Sequence, residues 1–266
     1  MNFGNDRKRD DHGVSESIGF MLMFTIIIVG IGLVTLYGYP MLLKQQVNAD
    51  LRIMEKNLIV LQNDFKSITY KSAPYKETSL KVGGGRLTIY NTTNSVMTSA
   101  MFHVFDSSGS VNVFFYPGQL QYESINAQQV RAIENGAVVS RPMYTSGSVM
   151  LAEPRWFSDT DPITGKTTTV ISLVGINSTI HMSQTGVGTV RMQILNTTYI
   201  EKSKPATLGS TVTVEYRPDP ANDYSVAWRN YIVNTLRWTE TATNTYQPPS
   251  TDTLVIKQYN ILIKSI

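Results

Sequence analysis

The residues whose types could support a reaction are few, and their spacing is poor for one. His12, His103 and His181 are far apart and show no paired ligand spacing, so they read as surface or core histidines. Gly165-Lys166-Thr167 has the ending of a phosphate-cradling loop, but the glycine needed five positions earlier is Thr160, and the motif fails. Asp159-Thr160-Asp161 with Gly165 offers oxygens to calcium, yet it lacks the glutamate that closes such a loop and sits in a turn with Pro162; an ordinary turn is the better reading. There are no cysteines, which excludes disulfides, thiolate metal sites and cysteine nucleophiles. No Gly-x-Ser-x-Gly elbow occurs. The expectation is a protein that is not an enzyme, with no catalytic, cofactor or metal residue. Three asparagines, Asn91, Asn177 and Asn196, head Asn-x-Ser/Thr sequons and are candidate glycan acceptors if their domain lies outside the cell.

With so little side-chain chemistry, the elements matter more. The chain has 266 residues and a formal net charge of +3, with no clustered basic face, so nucleic acid is not an expected partner. Charged residues make up 16% of the chain, a low share that suits a β-rich extracellular domain. No charge falls between Glu16 and Lys44. The stretch 17–43 is long enough to span a bilayer, which takes about 20 apolar residues. It exceeds the ~7–15 apolar residues of a cleavable secretory signal, and Tyr37-Gly38-Tyr39-Pro40 is a poor cleavage site. Arg7, Lys8 and Arg9 before the span, against Lys44 after it, favour a single pass with the N-terminus inside and the rest outside.

Beyond the span, Val47, Leu51, Met54, Leu58, Leu61, Phe65 and Ile68 form an apolar stripe at alternating steps of four and three. The spacing predicts that the membrane helix runs into an amphipathic one over 44–72, ended by Pro74. A helix from Ser15 to Ser72 would measure roughly 85 Å at ~1.5 Å per residue. Pro40, helped by Gly38, should kink or locally melt it. The plain reading of the stripe is that of a membrane anchor whose helix packs on its own domain.

From residue 73 the texture changes. Ser79–Tyr90 reads as strand, glycine turn, strand. Asp106-Ser107-Ser108-Gly109 reads as a hairpin turn between strands at 100–105 and 110–116. Further strands are expected at 121–124, 129–134, 137–140, 148–151, 168–174, 176–182, 189–195, 211–216 and 253–263. Trp228, Tyr231, Ile232 and Leu236 lie at helical spacing, so a short helix is expected over 223–236, capped by Asn222 or Asp223. The fold class is α+β: a long N-terminal helix, transmembrane then amphipathic, followed by a β-sandwich-like head with one short helix. No long flexible linker separates the two, so they should pack together, and no repeat of fixed period is visible.

Gly13-Val14-Ser15-Glu16-Ser17-Ile18-Gly19-Phe20 resembles the N-terminus of archaeal type IV pilin-like proteins, which carry a class III signal peptide. The resemblance covers about Arg7 to Leu43. It implies that a prepilin peptidase cuts between Gly13 and Val14 on the inner face of the membrane, removing a leader of residues 1–13 and keeping the apolar segment. It implies a mature chain of a helix, 14–72, and an extracellular head, 73–266. It further implies that other pilin subunits are partners through Ile18, Gly19, Phe20, Leu22, Ile26, Gly30 and Leu33, which would form a filament core at the cell surface. Gly19, Gly30 and Gly32 suit close helix approach. Two features depart from the pattern: His12 precedes the cut, and Glu16 would stand third in the mature chain, where bacterial relatives have a glutamate fifth. The alternative is a single-pass anchor that displays an adhesin, sensor or envelope domain without assembling. The large head leans towards a minor or specialised subunit, with adhesion one role it could serve.

Overall fold

The computed structural model describes residues 10–91, 100–204, 207–209 and 211–266, with side chains from residue 16 onward. It divides into two compact units, Met1–Ala49 and Asp50–Ile266. Helix α1 covers Asp10–Leu33, a single π-turn follows at Val34–Gly38, and helix α2 covers Tyr39–Tyr70. The expected effect of Pro40 takes the form of that π-turn: Tyr39 N–H reaches back to the Val34 carbonyl, and the helix resumes around the residue that cannot donate. The helix ends slightly before Pro74. Ser72 turns left-handed at φ 55°, and Ala73 N–H closes on the Ser67 carbonyl at 3.3 Å.

The second unit is a mixed α+β head built on two sheets. Its strands are β1 (Tyr75–Tyr90), β2 (Met101–Asp106), β3 (Asn112–Phe115), β4 (Gln119–Ser124), β5 (Gln129–Glu134), β6 (Ala137–Pro142) and β7 (Val149–Ala152). After these come β8 (Trp156–Thr160), β9 (Thr167–Ser178), β10 (Ser183–Ser203), β11 (Val212–Arg217), β12 (Thr239–Ala242), β13 (Thr245–Gln247) and β14 (Thr253–Ser265). Nine strands form one sheet in the order β7-β6-β5-β4-β1-β10-β14-β9-β8, and five form the other in the order β12-β13-β11-β2-β3. Within this arrangement β14 and β9 run parallel.

The large sheet is covered on both faces. One face packs on α2 through Leu87, Ile89, Tyr122, Ile133, Val138, Ile176 and Ile261. The opposite face presents Ala132, Val139, Ile171, Leu173 and Ile256 to the small sheet and to helix α3 (Ser225–Asn230). Neighbours in sequence, such as Ala132 and Ile133, therefore serve different cores, as the two-residue period of a strand requires. The second core is aromatic: Phe102 sits 4.7 Å from Trp228 and 5.5 Å from Trp156, centroid to centroid, with both rings edge-on.

Several expectations change. Ser79–Tyr90 is not a hairpin but part of one strand with a wide bulge: Val82 pairs with Gly186 and Leu87 with Gln184, which leaves 83–86 opposite a single residue. The segments 168–174 and 176–182 form one strand through Gly175, ending at Ser178. The helix expected over 223–236 is short, with a π-turn at Tyr231–Thr235 after α3. Its N-cap is Tyr224, without a side-chain cap, and Asp223 instead accepts the Ser225 N–H at 2.7 Å. Strands β8, β12 and β13 had no signal in the sequence. The 106–109 turn is as expected, with Gly109 at φ 74° and the Asp106 carboxylate accepting the Val111 and Gly209 N–H groups at 2.8 and 2.6 Å.

Candidate membrane and assembly helix

Both threonines of the apolar segment find partners inside the helix. Thr25 and Thr35 donate their hydroxyls to the carbonyls of Met21 and Ile31, at 2.7 and 2.9 Å, one turn back in the helix. This is how a hydroxyl satisfies itself where water is absent. Ile18, Phe20, Leu22, Ile26 and Leu33 are all more than half exposed, and Phe20 stacks on Phe24 at 6.2 Å. An unpaired apolar surface of this extent needs a bilayer or other helices to cover it. Among the described residues one helix is long and apolar enough to cross a membrane. A Cβ added at Gly19, Gly30 or Gly32 would meet nothing within 4 Å, so no contact inside the chain requires glycine at these positions.

The stripe from Leu51 behaves differently. Leu51, Met54, Leu58, Leu61, Phe65 and Ile68 are all buried in the core between α2 and the large sheet. The stripe packs on its own domain, as expected, from Leu51 onward; Val47, its first residue, is only half-buried. Polar residues interleaved with it hold α2 in register on the sheet. Arg131 of β5 donates to the Leu51 carbonyl at 2.5 Å and pairs with Glu55 at 3.1 Å. Burial pulls the Arg131 pKa down, and the Glu55 charge opposes that shift. Gln62, 1% exposed, donates to the carbonyls of Gly136 and Glu153 at 2.7 and 2.9 Å. Asn57 donates to the Lys81 carbonyl at 3.1 Å, and Thr78 donates to Asp64.

The bulge in β1 is part of the same seat. A Cβ at Gly83 would lie 2.5 Å from Asp50 Oδ1, so glycine is what lets the bulge approach the helix. Tyr122 and Ser124 of β4 donate to the Gly83 and Gly84 carbonyls at 2.5 and 2.9 Å, which pairs groups that the bulge frees from the ladder. None of Arg131, Gln62 or the bulge was legible as a functional feature in sequence.

Gly13 and Val14 lie on the backbone of α1, in its first turns. Arg7, Lys8 and Arg9, which carried the topology expectation, lie outside the described residues. So do Thr92 and Thr93 of the first sequon. The three sequon asparagines differ in setting. Asn91 is 4% exposed and donates its amide to the Ser178 carbonyl at 2.5 Å. Asn177 is half-buried on β9, and Asn196 is exposed on β10, where its carbonyl oxygen accepts from Asn260 at 2.6 Å. His103 stacks on Phe114 with centroids 4.0 Å apart and meets Asn112 at 2.7 Å. Asp161 accepts from Ile163 N–H and the Thr164 hydroxyl of its own turn, at 2.9 and 2.6 Å.

No curated protein and no solved structure matches the chain. A family model does match, over residues 12–261, taking in the apolar helix together with the head. The chain belongs to that family, a family of unknown function (DUF7289).

Proposed function

We propose that the protein is a pilin-like structural subunit of an archaeal type IV filament, held in the membrane by its apolar helix before assembly. The observation that carries this reading is the continuity of helix α2. It starts within the apolar segment at Tyr39 and ends in the head core at Tyr70, so the head shares a helix with the segment a secretory signal would discard. Glycines at 19, 30 and 32 that no intramolecular contact requires suit helices that approach one another closely. Prepilin peptidase cuts after Gly13 on the inner side. A protease needs extended backbone, and glycine weakens a helix turn by roughly 0.5–1 kcal/mol relative to alanine, which makes that turn the easier one to open. The helices then leave the bilayer by packing on each other, and the heads form the outer surface.

The test is the N-terminal residue of the native protein, read by mass spectrometry in membrane and sheared fractions. The expected result is a start at Val14, with the processed chain in the sheared fraction. An intact Met1 or Asn2 start, found only in membranes, would overturn the reading and leave a single-pass protein displaying a β-rich domain.

A further inference from the structure

At Tyr70 helix α2 stops covering the large sheet, and the exposed sheet face becomes a groove of about 510 Å³. This lies within the ~300–1,000 Å³ typical of small-ligand sites. Three adjacent strands supply a row across its floor. Ser172 of β9 pairs in register with Lys257 of β14, and Lys257 pairs with Tyr199 of β10. The helix end contributes Tyr70, which meets Tyr259 edge-on at 5.4 Å.

Two cations are mounted on this aromatic frame. The Arg155 guanidinium lies 4.8 Å over the Tyr70 ring, and the Lys257 ammonium lies 5.8 Å from the Tyr199 ring centre. Such contacts position a cation without neutralising it. The ion pairs of the described residues involve neither Arg155 nor Lys257. The nearby Glu201 carboxylate instead accepts the Tyr199 hydroxyl. The groove thus holds two cations that belong to no ion pair beside tyrosine faces, one of them (Tyr199) 56% exposed, while the Ser172 and Thr69 hydroxyls in its lining are buried and bonded to Tyr70 and to the Phe65 carbonyl.

We propose that this groove binds an acidic saccharide, with a hexuronate ring lying on the Tyr199 face and its carboxylate held by Arg155 and Lys257. A flat aromatic face suits the C–H face of a sugar ring. A guanidinium fork suits a carboxylate. An acidic peptide would satisfy the cations but would leave the exposed tyrosine plate without a matching group. Every residue of the site belongs to the head, so the assignment stands apart from the filament reading and does not depend on it.

The test uses the full chain in detergent, titrated calorimetrically with trigalacturonate, with neutral galactotriose and with a tri-glutamate peptide. The expected result is saturable binding of trigalacturonate with a dissociation constant below about 1 mM, which weakens as salt rises. Lys257→Gln and Tyr199→Phe separate the charge from the hydroxyl; Tyr199→Ala removes the plate. Lys257→Gln and Tyr199→Ala should each weaken binding at least about tenfold, and Tyr199→Phe should keep most of it, all with an unchanged melting temperature. Arg155→Gln, also at the surface, gives an independent check on the charge. Absence of saturable trigalacturonate binding overturns the proposal. Equal affinity for galactotriose would also overturn it, because the cations would then have no role. Equal affinity for tri-glutamate would do the same, because the site would then select charge and not sugar.

Discussion

Glu134 is the residue with the most unusual setting. It is 0% exposed and accepts from Gln119, Tyr216 and Trp228 at 2.5, 2.9 and 2.8 Å. These partners come from β4, β11 and α3, so one carboxyl ties the large sheet to the small one. Burial pushes its pKa up to about 7, and the three donors only partly offset that. In the unfolded chain a glutamate titrates near ~4.3. The folded protein therefore keeps a proton that the unfolded chain has already released. The resulting stability is fully present below about pH 4.3 and is lost as pH rises through about 7. The melting temperature should fall between roughly pH 4 and 7, and Glu134→Gln, which stays neutral, should flatten that fall; an equally steep fall in the variant would remove Glu134 as its cause. Asp106 is the opposite case. Burial alone would raise it, but bonds from Ser108, Val111, Gly209 and Ser110 outweigh burial and hold it well below the usual carboxylate range.

At the scale of elements, the seat of α2 combines an apolar stripe with a glycine bulge. Gly83 and Gly85 are constrained by different kinds of neighbour. A Cβ at Gly83 meets the end of the Asp50 side chain, which can swing aside. A Cβ at Gly85 meets the Glu123 carbonyl oxygen of the neighbouring strand, which can move only with its backbone, and the Tyr122 ring at 2.6 Å. Gly85→Ala should therefore cost about 2 kcal/mol or more, and Gly83→Ala clearly less, in urea unfolding followed by circular dichroism; the reverse order would show that the bulge is not held as described. Glycine clusters usually punctuate strands, so the triplet by itself predicts a hairpin turn. Here the extra residues are absorbed into a bulge because Tyr122, Ser124 and Asp50, from distant parts of the sequence, surround it. Gly175 was read as a break between strands for the same reason. Its missing side chain instead makes room beside Asn260 and Phe115: a Cβ there would come within 2.6 Å of Asn260 Oδ1.

For the whole molecule, the useful contrast is between two apolar surfaces on one helical run. The surface from Leu51 onward is consumed by the head core, so the apolar surface left uncovered on this run is the segment before Lys44. If that segment is a filament core released by processing, Gly13→Leu should block both leader removal and shear release while the head stays folded. Immunoblots of membrane and sheared fractions, with circular dichroism of the extracted chain, read all three. Normal shear release of an unprocessed Gly13→Leu chain would break the link between cleavage and assembly.

The sequence by itself determined the features that depend on local period and composition. The uncharged run 17–43 specified a membrane-length helix, the four–three spacing specified the apolar residues that α2 buries from Leu51 onward, and alternation with turn chemistry located most of the strands. These signals are local, because a helix or strand face is defined by residues a few positions apart. The tertiary structure alone decided what the stripe packs on, that 83–86 bulge instead of turning, and that β14 lies parallel to β9. It also decided that Gln62, Arg131 and Glu134 are polar groups buried with partners, and that Arg155, Lys257 and Tyr199 share one groove. In each of these cases at least one partner lies tens of residues away, and only the pairing of the strands and the packing of helix and sheets on one another bring the groups together.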